Sequence, residues 1–190
     1  MRYNEFEDIF SAKRMQKYIL ACGGDTRKAM TLYRYNLKLS QEMFTLISCF
    51  EVALRNRIDN QMVAHLGTDW LRDLIMPGGN FYSDRSVEKT KKIITNAYNE
   101  LQNSGNYSHS KLLSDHNYIF HELNFINNIR NRIAHHEPIC FGNPVGIDTT
   151  YALSHYARMM TLFQWMGIDA PRMLYGLDHV GQVCSKMMCI

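Results

Sequence analysis

Alternating apolar and polar stretches are nearly absent from this sequence, which leaves little material for a half-buried β-sheet. No apolar run approaches the roughly 20 residues that a membrane-crossing helix needs. The first ten residues, MRYNEFEDIF, carry acids where a secretory signal requires an unbroken apolar stretch. The cysteines (Cys22, Cys49, Cys140, Cys184 and Cys189) are odd in number, 5, and include no C-x-x-C pair. That excludes a regular disulfide framework and a cysteine zinc site, and reads as reduced thiols. Together these absences predict a cytoplasmic protein. Charge of one sign is also lacking. The formal net charge of +3 permits an acidic partner without arguing for one.

What is present is ordinary globular material. Of the 190 residues 46% are hydrophobic and 21% charged, enough to bury a real core. The length favours one domain over residues 1–190. Glycine and proline divide the chain into helical segments. A first amphipathic stretch covers residues 6–21 and ends at Gly23-Gly24. Asp25 or Thr26 then caps a second helix running through residues 32–35. Ser40 opens a third that reaches residue 66, with Met43, Leu46, Ile47, Phe50, Leu54 and Ile58 at the three-four spacing of a buried face. IMPGGN (75–80), NSGNYSHS (103–110) and FGNPVGID (141–148) are loops or turns. Helical spacing resumes over 87–101, 119–136, 151–166 and 173–183. The predicted fold class is all-α.

Chemistry gathers in RNRIAHHEPI, residues 130–139. At about 100° per residue, Ile119, Leu123, Ile126, Ile129 and Ile133 form one apolar arc, and Arg130 falls inside it, about 20° from Ile119. A buried guanidinium without a partner costs several kcal/mol, so Arg130 requires a carboxylate, a second subunit or an anionic ligand. Glu51, four residues before Arg55 on the third predicted helix, is a candidate carboxylate for either arginine. Such a pair is equally readable as a register lock between two helices. His135 and His136 fall in the last helical turn, which Pro138 ends through its constraint on Glu137. That position suits a general acid or a phosphate contact. On a straight helix His135 lies about 140° from Arg130, so the two converge only if the last turn unwinds or a dimer supplies a second copy. His116 and His121, five apart, do not share a helical face, and no metal site is expected. The aromatics of TLYRYN (31–36) read as core rather than a base-stacking platform, and Arg34 and Lys38 as a solvated basic edge.

IRNRIAHHEPI resembles the R-N-x-x-x-H form of the R-x(4–6)-H motif of the HEPN superfamily, and the whole phrase resembles the Abi-like abortive-infection proteins of the AbiD/AbiF group. Two further blocks are similar to that family: LYRYNLKLSQEMFTLISCFEVALRNRID (32–59) with GTDWL (67–71), and HYARMMTLFQWMGID (155–169). The three stand in the family's order across most of the chain. The segment between Leu71 and Tyr118 departs from the pattern, being short and polar. Glu137 stands where HEPN toxins paired with a nucleotidyltransferase carry a tyrosine, so the resemblance is not to that group.

The resemblance implies a HEPN-like helical bundle with additional N- and C-terminal helices, and a homodimer in which two motifs form one cleft. It further implies a metal-independent endoribonuclease, without cofactor, in which a ribose 2′-hydroxyl attacks the adjacent phosphate. By the same resemblance Arg130 binds the scissile phosphate, His135 moves the proton and Asn131 holds backbone or phosphate geometry. Glu51 and Arg55 support Arg130 or extend the RNA contact, while His136 shares the proton work or caps the helix. The implied setting is phage defence or a toxin–antitoxin pair, restrained by a small-RNA or protein antitoxin. Two other readings stand beside it: a non-catalytic RNA-binding or scaffolding domain using the same cleft, and a structural helical module.

Overall fold

The computed structural model describes residues 1–88, 91–92, 95 and 117–190, with the backbone alone for 117–121. It is all-α: α1 Tyr3–Phe10, α2 Ala12–Ala21, α3 Thr26–Leu66, α4 Trp70–Ile75, α5 Asn117–Ala134, α6 Thr150–Trp165, α7 Ala170–Met173 and α8 Val180–Met187. Among the described residues the extended pairing is a lone bridge between Phe141 and Ile147. No described helix is long and apolar enough to cross a membrane. The helix expected over 87–101 lies largely outside the described residues, and the loop over 103–110 wholly so.

The chain divides into two compact units, Met1–Glu51 with His116–Ile190, and Val52–Asp115. In the second unit Trp70 and Ile75 are buried. The loop after α4 turns on glycine: Gly78 has φ 93°, and a β-carbon on Gly79 would lie 2.0 Å from the Asp73 carbonyl oxygen. Only glycine fits so close an approach of backbone to backbone.

In the first unit the helix ends follow local chemistry, and three differ from expectation. The stretch over 6–21 is two helices, because Ser11 takes φ 74° and ψ 142° and its hydroxyl accepts the Arg14 amide at the start of α2. The break expected near residues 36–39 does not occur, and α3 runs unbroken from Thr26 to Leu66. Nothing in NLKL removes a backbone donor or forces a left-handed residue. The segment over 173–183 is likewise two pieces: Pro171 starts the short α7, and Gly176 at φ 75° separates it from α8. Asp25 caps α3 as expected, its Oδ1 accepting from the amides of Arg27 and Lys28. The Gly23-Gly24 stop also holds, with both amides turned back to the carbonyls of Leu20 and Ile19.

Met43, Leu46, Ile47 and Phe50 of α3 are buried as their spacing predicts, whereas Leu54 and Ile58 of the same predicted stripe are only half-buried. An aromatic chain links α1, α2 and α3 to the segment after α5. Phe10 and Tyr18 both pack on Tyr33, with ring centroids 4.5 and 5.0 Å apart. Tyr18 also meets Phe141 at 4.9 Å. Tyr33 is therefore core, as TLYRYN suggested. The buried Asn36 side chain accepts the Ile139 amide at 3.0 Å. These contacts hold residues 139–141 against α2 and α3, and so fix the turn that precedes them.

Candidate functional site

Helix α5 remains regular to its end, where the His135 amide donates to the Asn131 carbonyl at 2.9 Å. The chain then reverses on His136, at φ 54°. The His136 amide donates to Ile133 and the Glu137 amide to Arg132, at 3.0 and 2.8 Å. This is the paired cap of a helix that ends on a left-handed residue, a position that glycine usually takes. A histidine there carries conformational strain of about 1 kcal/mol or more.

Two arginines clamp the reversal. Arg14 of α2 donates Nη1 to the His136 carbonyl at 2.9 Å. Arg132 donates Nη2 to the Pro138 carbonyl at 2.8 Å, sets Nε 3.3 Å from the Glu137 carboxylate, and lies 4.7 Å over the Tyr151 ring. The backbone of residues 136–138 is thus held from both sides. Neither the His135 nor the His136 ring has a hydrogen-bond partner among the described residues, and both residues are exposed. Both line an open cleft of about 410 Å³ together with Ser11, Lys13, Arg14, Lys17, Tyr18, Glu137 and Pro138. The cleft therefore brings two imidazoles beside three cationic side chains able to hold a phosphate.

Arg130 is not among the residues lining this cleft. The last turn does not unwind before His135, so within one chain the two stay apart, as helix geometry required. Arg130 does pair with Glu51, Nε to Oε1 at 3.0 Å. Its burial, however, is corrected: the side chains of Arg130 and Glu51 are 45% and 46% exposed. The buried face of α5 is centred on Glu122, Ile126 and Ile129, which leaves Arg130 at its margin. Asn131 and Arg55 are exposed, Arg55 on the part of α3 that belongs to the second unit.

No family model, curated protein or solved structure matches the chain. Its function must therefore be inferred from the turn, the cleft and the sequence motif they carry.

Several participants were not anticipated. Glu122 is the acid on the buried face of α5, and it is hydrogen-bonded and ion-paired to Arg158 of α6. The Arg158 guanidinium also lies 4.0 Å over the Phe125 ring. His155 is 1% exposed, stacked 3.8 Å from Phe125, with Nδ1 donating to the Tyr151 carbonyl at 2.7 Å. Its burial, with the positive charges of Arg158 and Arg132 nearby, holds its pKa below the usual histidine value. Cys140 is buried, and burial pushes its thiol up to about 12, which leaves it an inert core residue. All five cysteines are free. No three His, Cys, Asp or Glu side chains gather as a metal-ligating group among the described residues. His116 and the side chain of His121 lie outside them.

Proposed function

We propose that this chain is a metal-independent endoribonuclease of the abortive-infection type, with a HEPN-like fold, acting in phage defence or as the toxin of a toxin–antitoxin pair. The observation that carries the reading is the clamped turn, which leaves the His135 and His136 rings free beside Lys13, Arg14 and Lys17. An imidazole without a structural partner, on a backbone fixed from two sides, is positioned for proton transfer. The three ordered sequence blocks support the same reading independently.

In the proposed reaction a 2′-hydroxyl loses its proton and its oxygen bonds to the adjacent phosphorus. The bond from phosphorus to the 5′-oxygen breaks, and that oxygen takes up a proton. The products are a 2′,3′-cyclic phosphate and a 5′-hydroxyl. His135 serves one of the two proton transfers, and Arg130 stabilises the charge that builds on the phosphate. Since Arg130 stands away from His135 within the chain, the reaction uses a homodimer in which a second copy supplies it. Asn131, Glu51 and Arg55 act in support. An antitoxin, a small RNA or a protein, covers the cleft until the system is triggered.

The test is cleavage of total cellular RNA by purified wild type and His135→Ala in EDTA, with the product ends mapped. Cyclic phosphate and 5′-hydroxyl ends from the wild type alone are expected. Equal cleavage by His135→Ala would remove His135 from the chemistry. A protein that binds RNA without cutting it would be the non-catalytic RNA-binding domain, the reading favoured by the separation of Arg130 from His135 in one chain.

A further inference from the structure

The basic side chains on α2 have no part in the motif, yet they face it across the cleft. Lys13 and Lys17 are four residues apart, hence on one side of α2, and stand about 6 Å apart along its axis. That is on the scale of one nucleotide step. Both residues are exposed, and neither has a carboxylate partner among the described residues. The one acid in the cleft, Glu137, is already engaged by Arg132. Three carbonyls at and after the end of α5 are engaged as well. Those of Arg132 and Ile133 accept from the Glu137 and His136 amides, and that of His136 accepts from Arg14. The wall is therefore cationic, and the carbonyls of the turn that face it are engaged within the chain.

From this arrangement we infer that Lys13 and Lys17 form a phosphate track that carries single-stranded RNA across α2 to the His135–His136 turn, an inference that rests on the RNA-directed reading above. Arg14, between the two lysines in sequence, is the positioning residue that ties the turn to the track. A cleft of about 410 Å³ has room for a nucleotide or so of single strand. The lysines act as point charges on the backbone, so binding along the track is indifferent to sequence and steeply dependent on salt.

The experiment is fluorescence anisotropy with a short, labelled, 2′-O-methyl single-stranded RNA, titrated at several salt concentrations. This probe lacks the attacking hydroxyl and stays intact whether or not the protein is a nuclease. The wild type should bind it. Lys13→Ala with Lys17→Ala should lower the slope of log affinity against log salt by about 1.4, that is about 0.7 per lost contact, and weaken binding about 25-fold in 0.1 M salt. Lys38→Ala, an exposed lysine elsewhere on α3, should bind as the wild type does. The double variant replaces exposed side chains only, and an unchanged circular dichroism melt will establish that it folds. Wild-type affinity and slope in the double variant would overturn the track while leaving an RNA-directed protein in place. A wild type that does not bind the probe would overturn the track and the RNA-directed reading together. Preference for the corresponding duplex would overturn the single-strand assignment. Lysine-dependent binding without cleavage of unmodified RNA would uphold the track and refute the nuclease.

Discussion

His136 sits where a helix reverses on a left-handed residue, and its φ of 54° is one that a β-carbon resists. The cost for a non-glycine residue is about 1–2 kcal/mol. Glycine removes that cost but gives the unfolded chain extra freedom worth about 0.5–1 kcal/mol. His136→Gly should therefore stabilise the chain by about 0.5–1 kcal/mol. For a chain of 150–250 residues each kcal/mol moves the melting midpoint by about 2–4 °C, so a rise of about 1–4 °C is expected. The contacts that fix the turn use the main chain of residue 136, its amide to Ile133 and its carbonyl to Arg14, and survive the substitution. Only the ring is lost.

Melting of wild type, His136→Gly and His136→Ala, monitored by circular dichroism, separates the possibilities. Alanine keeps the strain and discards the ring, so it should gain nothing. A midpoint that falls on going to glycine, or rises equally for alanine, would refute the strain account. The same proteins then report on function. A general acid or base contributes about 10²–10⁴-fold to rate, so a His136→Gly protein that is more stable yet at least about 100-fold slower would make His136 a participant. Cleavage at the wild-type rate would leave His136 as a helix cap and give the proton work to His135 alone.

The geometry fixes three further outcomes. If a second copy supplies Arg130 to His135, mixing inactive Arg130→Ala with inactive His135→Ala should restore activity, since half of the dimers are then mixed and each carries one intact site of two, about a quarter of wild type in all; no recovery in a mixture shown to exchange subunits would sink the composite cleft. The Arg130–Glu51 pair is half exposed, so a double-mutant cycle with alanine should return a coupling of only about 0.2–1 kcal/mol, and a much larger value in urea denaturation would contradict its placement at the margin of α5. His155 has a lowered pKa when folded and about 6.5 when unfolded, so below pH about 6.5 the unfolded chain takes the proton first and stability falls as the pH drops towards the folded value, while staying flat above; His155→Gln should flatten that slope in urea titrations, and an unchanged slope would assign it to other groups.

Much of the fold is local and was legible. The Asp25 cap, the Gly23-Gly24 stop and the buried stripe Met43, Leu46, Ile47 and Phe50 all arise from near neighbours in sequence. The break at Ser11 was harder to read, because the residues on both sides continue a helical pattern and only a serine cap marks it. The buried acid is legible in the sequence. On the same helical projection Glu122 lies within about 20° of both Ile129 and Ile133, as close to the centre of the apolar arc as Arg130. The cleft itself was not legible, since the bond from Arg14 to His136 spans 122 positions and nothing near Lys13 or Lys17 announces a partner so distant.

The arginines around the motif differ less in charge than in what it costs to release them. Arg158 answers the carboxylate of Glu122, whose side chain is 9% exposed. Withdrawing Arg158 would strand a buried charge at a cost of about 3–5 kcal/mol. Arg132 holds the Pro138 carbonyl and the Glu137 carboxylate, so its removal would loosen the turn that presents both histidines. Lost activity in an Arg132 variant would therefore not identify a catalytic contact. Arg130 is bound to a carboxylate that is half in water, an attachment worth about 1 kcal/mol or less. Exchanging Glu51 for another anion at this guanidinium therefore costs little. Of these three arginines, Arg130 is the one the fold leaves exchangeable.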